Sequence, residues 1–244
     1  MKNLKPLGFA LGVAIWSFGA TARAAPADLQ FSQVVDDFVF GTLALSPVTA
    51  STVGYHKHHG EMLEDELDDF SAAGIKAQIK LQRDIEARIE DLDAKALNAE
   101  QRADIEVMRD AISATRLDVE EVQSYRHNPT IYVELVGNAL YTPYVLHYAP
   151  ADERFKHIVQ RLIRIPELVR QAEQNLADSP EIWNKVAREE NTGNIDLIDG
   201  VLRTACPKPL AHEYTQAAEP ALIALRAFNE FLDGTLSKKT SDWR

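Results

Sequence analysis

The stretch LSPVTASTVGYHKHHGEMLEDELDDFS, Leu45 to Ser71, carries the densest local signals in the chain. Ser46 can cap a helix through its hydroxyl, and Pro47 suits the first helical position, where a missing N–H is no loss. Gly54 supplies a left-handed stop, so the spacing predicts a short helix over 47–53. The chain then leaves through Tyr55 into His56, His58 and His59 and an acidic run from Glu61 to Asp69, before Ser71 opens another helix. That acidic run lacks the alternating Asp/Asn-with-Gly pattern of a calcium loop, and reads as a solvated face.

Helical periodicity extends on both sides. Phe31, Val34, Val35, Phe38, Val39 and Leu43 stripe a helix from about Asp28 to Leu43. After Ser71, Ile75, Ile79, Ile85, Ile89 and Leu92 form one buried stripe; Asn98 with Gln101 resembles a capping box, and Met108, Ile112, Val119 and Val122 continue at helical spacing. The two form an antiparallel hairpin joined near 93–97. A further stripe (Phe155, Ile158, Val159, Leu162, Val169, Ala172, Leu176) contains Pro166, which is expected to kink it. Two short helices are expected at 181–190 and 194–204, and a last helix striped by Leu222, Leu225, Phe228 and Leu232 contains Pro220 and ends at Gly234. The expected fold is therefore all-α, a single array of about seven to nine helices with antiparallel hairpins and no substantial sheet.

Five of the seven tyrosines fall between Gln123 and Ala151, in SYRHNPTIYVELVGNALYTPYVLHYAP. The pattern predicts a short helix from Pro129 to about Leu140 and a turn at Pro143. Tyrosine, apolar along the ring and polar at its tip, suits an inter-helix core or a cleft wall alike.

Residues 1–24 read as a signal peptide: basic MKNLK, an apolar run from Leu7 to Ala20, and the small-x-small Ala22-Arg23-Ala24. This places residues 25–244, a helical domain, in the periplasm or medium, with no membrane span after cleavage. Removing Lys2, Lys5 and Arg23 leaves 23 basic against 37 acidic residues, a net charge of −14, so nucleic acid is not an expected partner. Cys206 is the only cysteine and has no disulfide partner in the chain.

Catalytic motifs are incomplete. His56, His58 and His59 can be made to converge on a metal, but a full ligand set is missing, and a polar loop explains them as well. His212-Glu213 lacks the second histidine of a zinc helix, since position 216 is Gln. No nucleophile elbow, phosphate loop or dinucleotide fingerprint occurs.

Several motifs nonetheless resemble the N-terminal part of the bacterial DUF885 family, helical proteins similar to zinc metallopeptidases. These are Ser46-Pro47-x-x-Ala50-x-x-x-Gly54-Tyr55-His56, Leu67-Asp68-Asp69-Phe70-Ser71, Arg126-His127-Asn128-Pro129-x-x-Tyr132, and Arg154 with Arg161-Leu162-x-x-Ile165-Pro166 and Asn175-Leu176. The resemblance implies zinc in the full-length members, held by a His-Glu-x-x-Pro-Gly-His segment in a later half. No such segment occurs here, so no cofactor and no catalytic residue is expected in this chain, which resembles a member truncated before its metal-binding segment. Ser241-Asp242-Trp243-Arg244 closes no fold element on this reading.

Three functions follow as expectations. The first is the non-catalytic half of an exported zinc peptidase-like protein, inactive alone, whose cleft would be lined by Asn128 and Tyr132 and which would meet a peptide substrate only with the other half present. The second is a self-contained periplasmic binding or scaffolding module. The third is a small metal-binding protein built on His56, His58 and His59. If a half is missing, the stripe of the last helix and the Tyr-rich segment should leave apolar surface uncovered and promote self-association.

Overall fold

The computed structural model describes residues 26–242, so the signal-peptide reading of 1–24 lies outside the described residues. The architecture is all-α. Helix α1 (Pro26–Leu45) leads through Ser46 into α2 (Pro47–Thr52), and a two-stranded antiparallel ribbon of β1 (Lys57–His58) and β2 (Glu61–Met62) follows. Helices α3 (Ala72–Glu90) and α4 (Ala99–Arg116) form the expected hairpin, α4 running on through a π turn at Leu117–Val122. Ser71 accepts from Gly74 N at the start of α3, and Asn98 and Gln101 complete a reciprocal capping box at α4. A short α5 (Ser124–His127), then α6 (Thr130–Val145), α7 (Ala151–Asn175), α8 (Glu181–Asp196), a one-turn α9 (Arg203–Ala205) and α10 (Ala211–Gly234) complete the order.

Two cores result. Helices α6, α7, α8 and α10 enclose the larger, centred on Leu140, Ile158, Leu162, Ile165 and Leu225, all with no solvent exposure. Helices α1, α3 and α4 enclose a smaller one around Ile85, Ile89, Met108 and Ile112.

Several expectations are corrected. Ser46 makes no side-chain cap at α2; Val48 N, an orphan donor of the first turn, donates instead to Asp68 Oδ1 at 3.1 Å, so a distant carboxylate takes the local hydroxyl's place. Gly54 does take the left-handed conformation, at φ +80°. The turn expected at Pro143 is absent, because α6 continues to Val145. Pro143 has no N–H for Ala139 O one turn back; Arg161 Nη1 donates to that oxygen at 2.9 Å, and Arg154 Nη1 donates to Pro143 O and Tyr144 O at 2.6 and 2.7 Å. The two helices expected at 181–190 and 194–204 are one helical run, α8 passing by a π turn at Leu197–Leu202 into α9. The run is tied to its neighbours by buried amides: Asn184 and Asn191 donate to Leu232 O and Leu225 O of α10, and Asn194 to Val133 O of α6.

The expectation of uncovered apolar surface is corrected for the last helix, although Tyr141 and Leu146 of the Tyr-rich segment are exposed. Leu222, Leu225, Phe228 and Leu232 are all buried, against α7 and α8. Part of the tail is hydrogen-bonded beside the start of α8, Ser179 N donating to Lys239 O at 3.1 Å and Ser241 N to Ser179 O at 3.3 Å in an isolated parallel bridge, while 243–244 lie outside the described residues.

Candidate functional site

The acidic run is built into the molecule, which corrects its reading as a solvated face. Glu64 has no solvent exposure, Asp65, Glu66 and Asp68 are half-buried, and only Glu61 and Asp69 are exposed. Charges leave water at this depth only when partners meet them. Those partners come from α7, where His157, Arg161 and Arg164 recur every three or four residues and so share one face.

Arg161 is the hub, itself with no exposure. Its guanidinium donates to Ala139 O, Ser51 Oγ (2.5 Å), Leu63 O (3.3 Å), Pro47 O (3.4 Å) and Glu66 O (3.2 Å), using the forked donor set that lysine lacks. One side chain thus ties α2, the acidic loop and α6 to α7. Glu64 Oε2 lies 3.7 Å from Arg161 Nη2, an ion pair beyond hydrogen-bond length. Burial holds the Arg161 pKa below its ordinary value, against the raising influence of Glu64.

Glu64 then collects two surface-facing groups. His56 Nδ1 meets its Oε1 at 2.5 Å, and Tyr148 OH donates to its Oε2 at 3.0 Å. Burial pushes the Tyr148 hydroxyl well above the ordinary tyrosine range, reinforced by Glu64. A second imidazole follows the same plan, with His157 Nδ1 on Asp65 Oδ1 at 2.7 Å. The Tyr148 ring is stacked with both, its centroid 4.5 Å from His56 and 6.5 Å from His157, at interplanar angles of 26° and 29°. Beside them Arg164 Nε donates to Asp65 O at 2.5 Å and its Nη2 pairs with Glu66.

Asp68 belongs to the same assembly. Its Oδ1 holds Val48 N, and burial pushes its pKa up to about 6, with that hydrogen bond, Arg161 and Ser46 acting in the opposite sense. The Asp69 main chain packs so close to Gly74 that a Cβ there would fall 2.1 Å from Asp69 O, which fixes the exit of the loop into α3.

The sequence-derived candidates divide among three places. His56 joins the cluster. His58 and His59 stand on the ribbon, their rings 4.1 Å apart, and Tyr55 OH lies 2.9 Å from His58 Nδ1. Burial and the neighbouring His59 hold the His58 pKa below its ordinary value. Among the described residues no group of three or more His, Cys, Asp or Glu is placed to hold a metal ion. Tyr132 is 1% exposed in the larger core, its hydroxyl donating to Tyr125 O at 2.6 Å and accepting from Asn175 Nδ2 at 3.1 Å. Asn128 accepts from Thr130 N and Oγ1 at the start of α6. Glu64 and His157 escaped sequence reasoning, while Arg161 stood out only as a motif residue and Tyr148 only as one of the clustered tyrosines; the ionisable residues set at helical spacing beside the apolar stripe of α7 were the visible signal.

No curated protein matches the chain. A solved structure from Shewanella oneidensis, described as a "putative lipoprotein of unknown function", superposes with a TM-score of 0.76 at 19% identity, over 88% of this chain and 38% of that one. At that identity the likeness shows the fold alone, and this chain spans well under half the length of its structural neighbour. Residues 47–244 match the family "Bacterial protein of unknown function (DUF885)". That span takes in the acidic loop, α7 and every member of the Arg161 cluster, and the chain belongs to the DUF885 family.

Proposed function

We propose that this chain is a ligand-binding helical domain of an exported, zinc peptidase-like protein, one wall of a peptide cleft without the catalytic metal segment. The observation that carries the reading is the Arg161–Glu64 assembly, in which a buried ion pair holds His56 and Tyr148 at the surface with their orientations fixed. Such investment in a buried charge is costly unless the geometry it sets is used. The family resemblance supplies the substrate class, and the longer structural neighbour supplies the precedent for more chain around the same fold.

A second reading, a self-contained binding module, is favoured by the closed core: the last helix buries its stripe and the tail is hydrogen-bonded beside α8. Purified residues 25–244 should hydrolyse no peptide and hold no stoichiometric zinc after dialysis, yet should bind unstructured peptides in a fluorescence-anisotropy titration. Zinc-dependent hydrolysis by this chain would overturn the non-catalytic assignment, and absence of peptide binding would overturn the cleft wall. A sharp two-state unfolding of a monomer, without dye binding, would favour the self-contained module.

A further inference from the structure

A groove of about 270 Å³ lies between the end of the acidic loop and α7. Its apolar lining is Leu67, Ile163 and Leu168; Leu168 is buried and Ile163 is 57% exposed, so the lining runs from the core out to solvent. Glu66, Asp68, Asp69 and Glu167 also line it, against one cation of the lining, Arg164. Two of the carboxylates face one another across the seam: Gln171 Nε2 donates to Asp69 Oδ1 at 3.0 Å and to Glu167 Oε1 at 3.2 Å, so loop and helix each bring an acceptor to the same nitrogen.

The internal partners hold these carboxyls in place without balancing them. Glu66 pairs with Arg164 and Glu167 with Arg170, but Asp68 Oδ1 holds Val48 N, and Asp69 holds Ser71 and Gln171, all neutral donors. Burial raises the pKa of Glu66 and of Asp68 despite Arg164 and the buried Arg161, and Asp65 and Glu61 push Glu66 further the same way. An anion is repelled from such a place, and an uncharged aliphatic group would take water from the carboxylates and give them nothing in return. A metal ion is not suited either, since the described residues hold no set of three metal-ligating groups. What fits an apolar groove edged by acids is a long aliphatic stem that ends in a cation.

We propose that this groove is a pocket for a lysine or arginine side chain of a bound peptide, its stem on Leu67, Ile163 and Leu168 and its head at Asp69 and Glu167. Each of those two carboxylates accepts three hydrogen bonds within the protein, out of about four it can take, which leaves room for a donor from the ligand. The proposal rests on reading the domain as a peptide-binding wall and adds the side chain that wall selects. Arg164 joins the two, since it pairs with Glu66 in the groove and donates to Asp65 O beside His157.

The test measures binding of peptides to residues 25–244 by fluorescence anisotropy and maps it by methyl NMR of ¹³C-labelled isoleucine and leucine. The probes are Ala/Ser peptides of about ten residues, acetylated and amidated at their ends, with arginine, its uncharged isostere citrulline, or norleucine at the centre. The arginine probe should bind at least tenfold more tightly than the other two and should shift the methyl signals of Ile163 and Leu67. Glu167→Gln, which keeps an acceptor for Gln171, should weaken the arginine probe about threefold and leave the citrulline probe unchanged. Glu106→Gln, on the exposed face of the hairpin, should change neither. Should the Glu167 variant misfold, the wild-type affinities and methyl shifts decide alone. Equal binding of the arginine and citrulline probes overturns the pocket, as does an arginine preference that leaves the groove methyls unmoved or falls as much with Glu106→Gln; in each case the peptide wall stands without it. If no probe binds, both readings fall.

Discussion

Two charged regions are treated in opposite ways by this fold. The loop from Glu61 to Asp69 carries six acids in nine residues, and its central members are drawn inside by α7. Helices α3 and α4 and the π turn after them also carry charges of both signs, yet their pairs, Lys80–Asp84, Arg83–Glu120 and Arg116–Glu86, all keep solvent contact. The difference is not in the acids. It lies in whether another element delivers buried partners at helical spacing over the same patch, as α7 does with His157, Arg161 and Arg164, whereas the hairpin's pairs stay at its exposed face. A charge is then structural or solvated according to its partner's element, and the two classes should respond to substitution on different scales.

The largest effect is expected at the hub. Arg161→Met fills similar volume but strands the buried Glu64 carboxylate and the carbonyls of Ala139, Leu63 and Glu66, so urea unfolding should show a loss of about 3–5 kcal/mol. Adding Glu64→Gln to that variant should recover part of the loss, because the stranded charge is gone. A loss below about 1 kcal/mol would place the loop charges in the same class as those of the hairpin.

Asp68 tests the comparison with the opposite sign. Its folded pKa, about 6, stands above the ordinary carboxylate value, so the folded state binds the extra proton. The stability associated with that proton is present below about pH 4 and is lost as pH rises towards 6, above which the ionised group costs a constant amount. Asp68→Asn keeps an acceptor for Val48 N and should stabilise the protein above pH 6 by about 1–2 kcal/mol. That is less than the ~3 kcal/mol of the full shift, since part of the residue still touches water. Thermal midpoints of the two proteins should converge by pH 4, and parallel curves from pH 4 to 8 would show that Asp68 is solvated after all.

How much of this was legible in the sequence follows the same division. Elements set by local chemistry could be read directly: the Ser71 cap, the Asn98–Gln101 capping box, the left-handed Gly54 and the apolar stripes of α7 and α10 each depend on residues within a turn or two. Contacts between distant residues could not. Asp68 capping α2 spans 20 positions, and Arg161 reaching Ser51 spans 110, so nothing near Ser46 or Glu64 announces either. Pro143 misled for this reason: a proline breaks a helix when its orphaned carbonyl has no other donor, and here the donor is Arg161. His56 was visible as a motif residue, but its partner Glu64 was hidden in an acidic run whose members look alike.

A smaller effect is expected at Gly54, where the local rule stands alone. A Cβ there meets nothing within 4 Å, so Gly54→Val pays only the cost of a branched side chain at φ +80°, about 1–2 kcal/mol. Lys57→Ala, on the exposed strand beside it, should leave the midpoint unchanged. Equal midpoints for the two variants would remove the left-handed stop from the account of how the ribbon is placed.

The smallest effect should come from the hairpin, and it sharpens the comparison most economically. Lys80 and Asp84 lie one turn apart on α3 with side chains 72% and 55% exposed. Their attraction acts through water, and holding two long side chains in one geometry costs rotamer freedom that offsets most of it. A double-mutant cycle of Lys80→Ala and Asp84→Ala should therefore give a coupling of no more than about 0.5 kcal/mol. That coupling should shrink when salt is raised to about 1 M, where the screening length is near 3 Å. The corresponding cycle on Arg161 and Glu64 should scarcely respond to salt, because both groups are out of contact with solvent. If the exposed pair instead coupled by more than 1 kcal/mol and resisted salt, burial would not be what separates the two regions. The acidic loop would then have no special claim to hold the geometry of the proposed binding site.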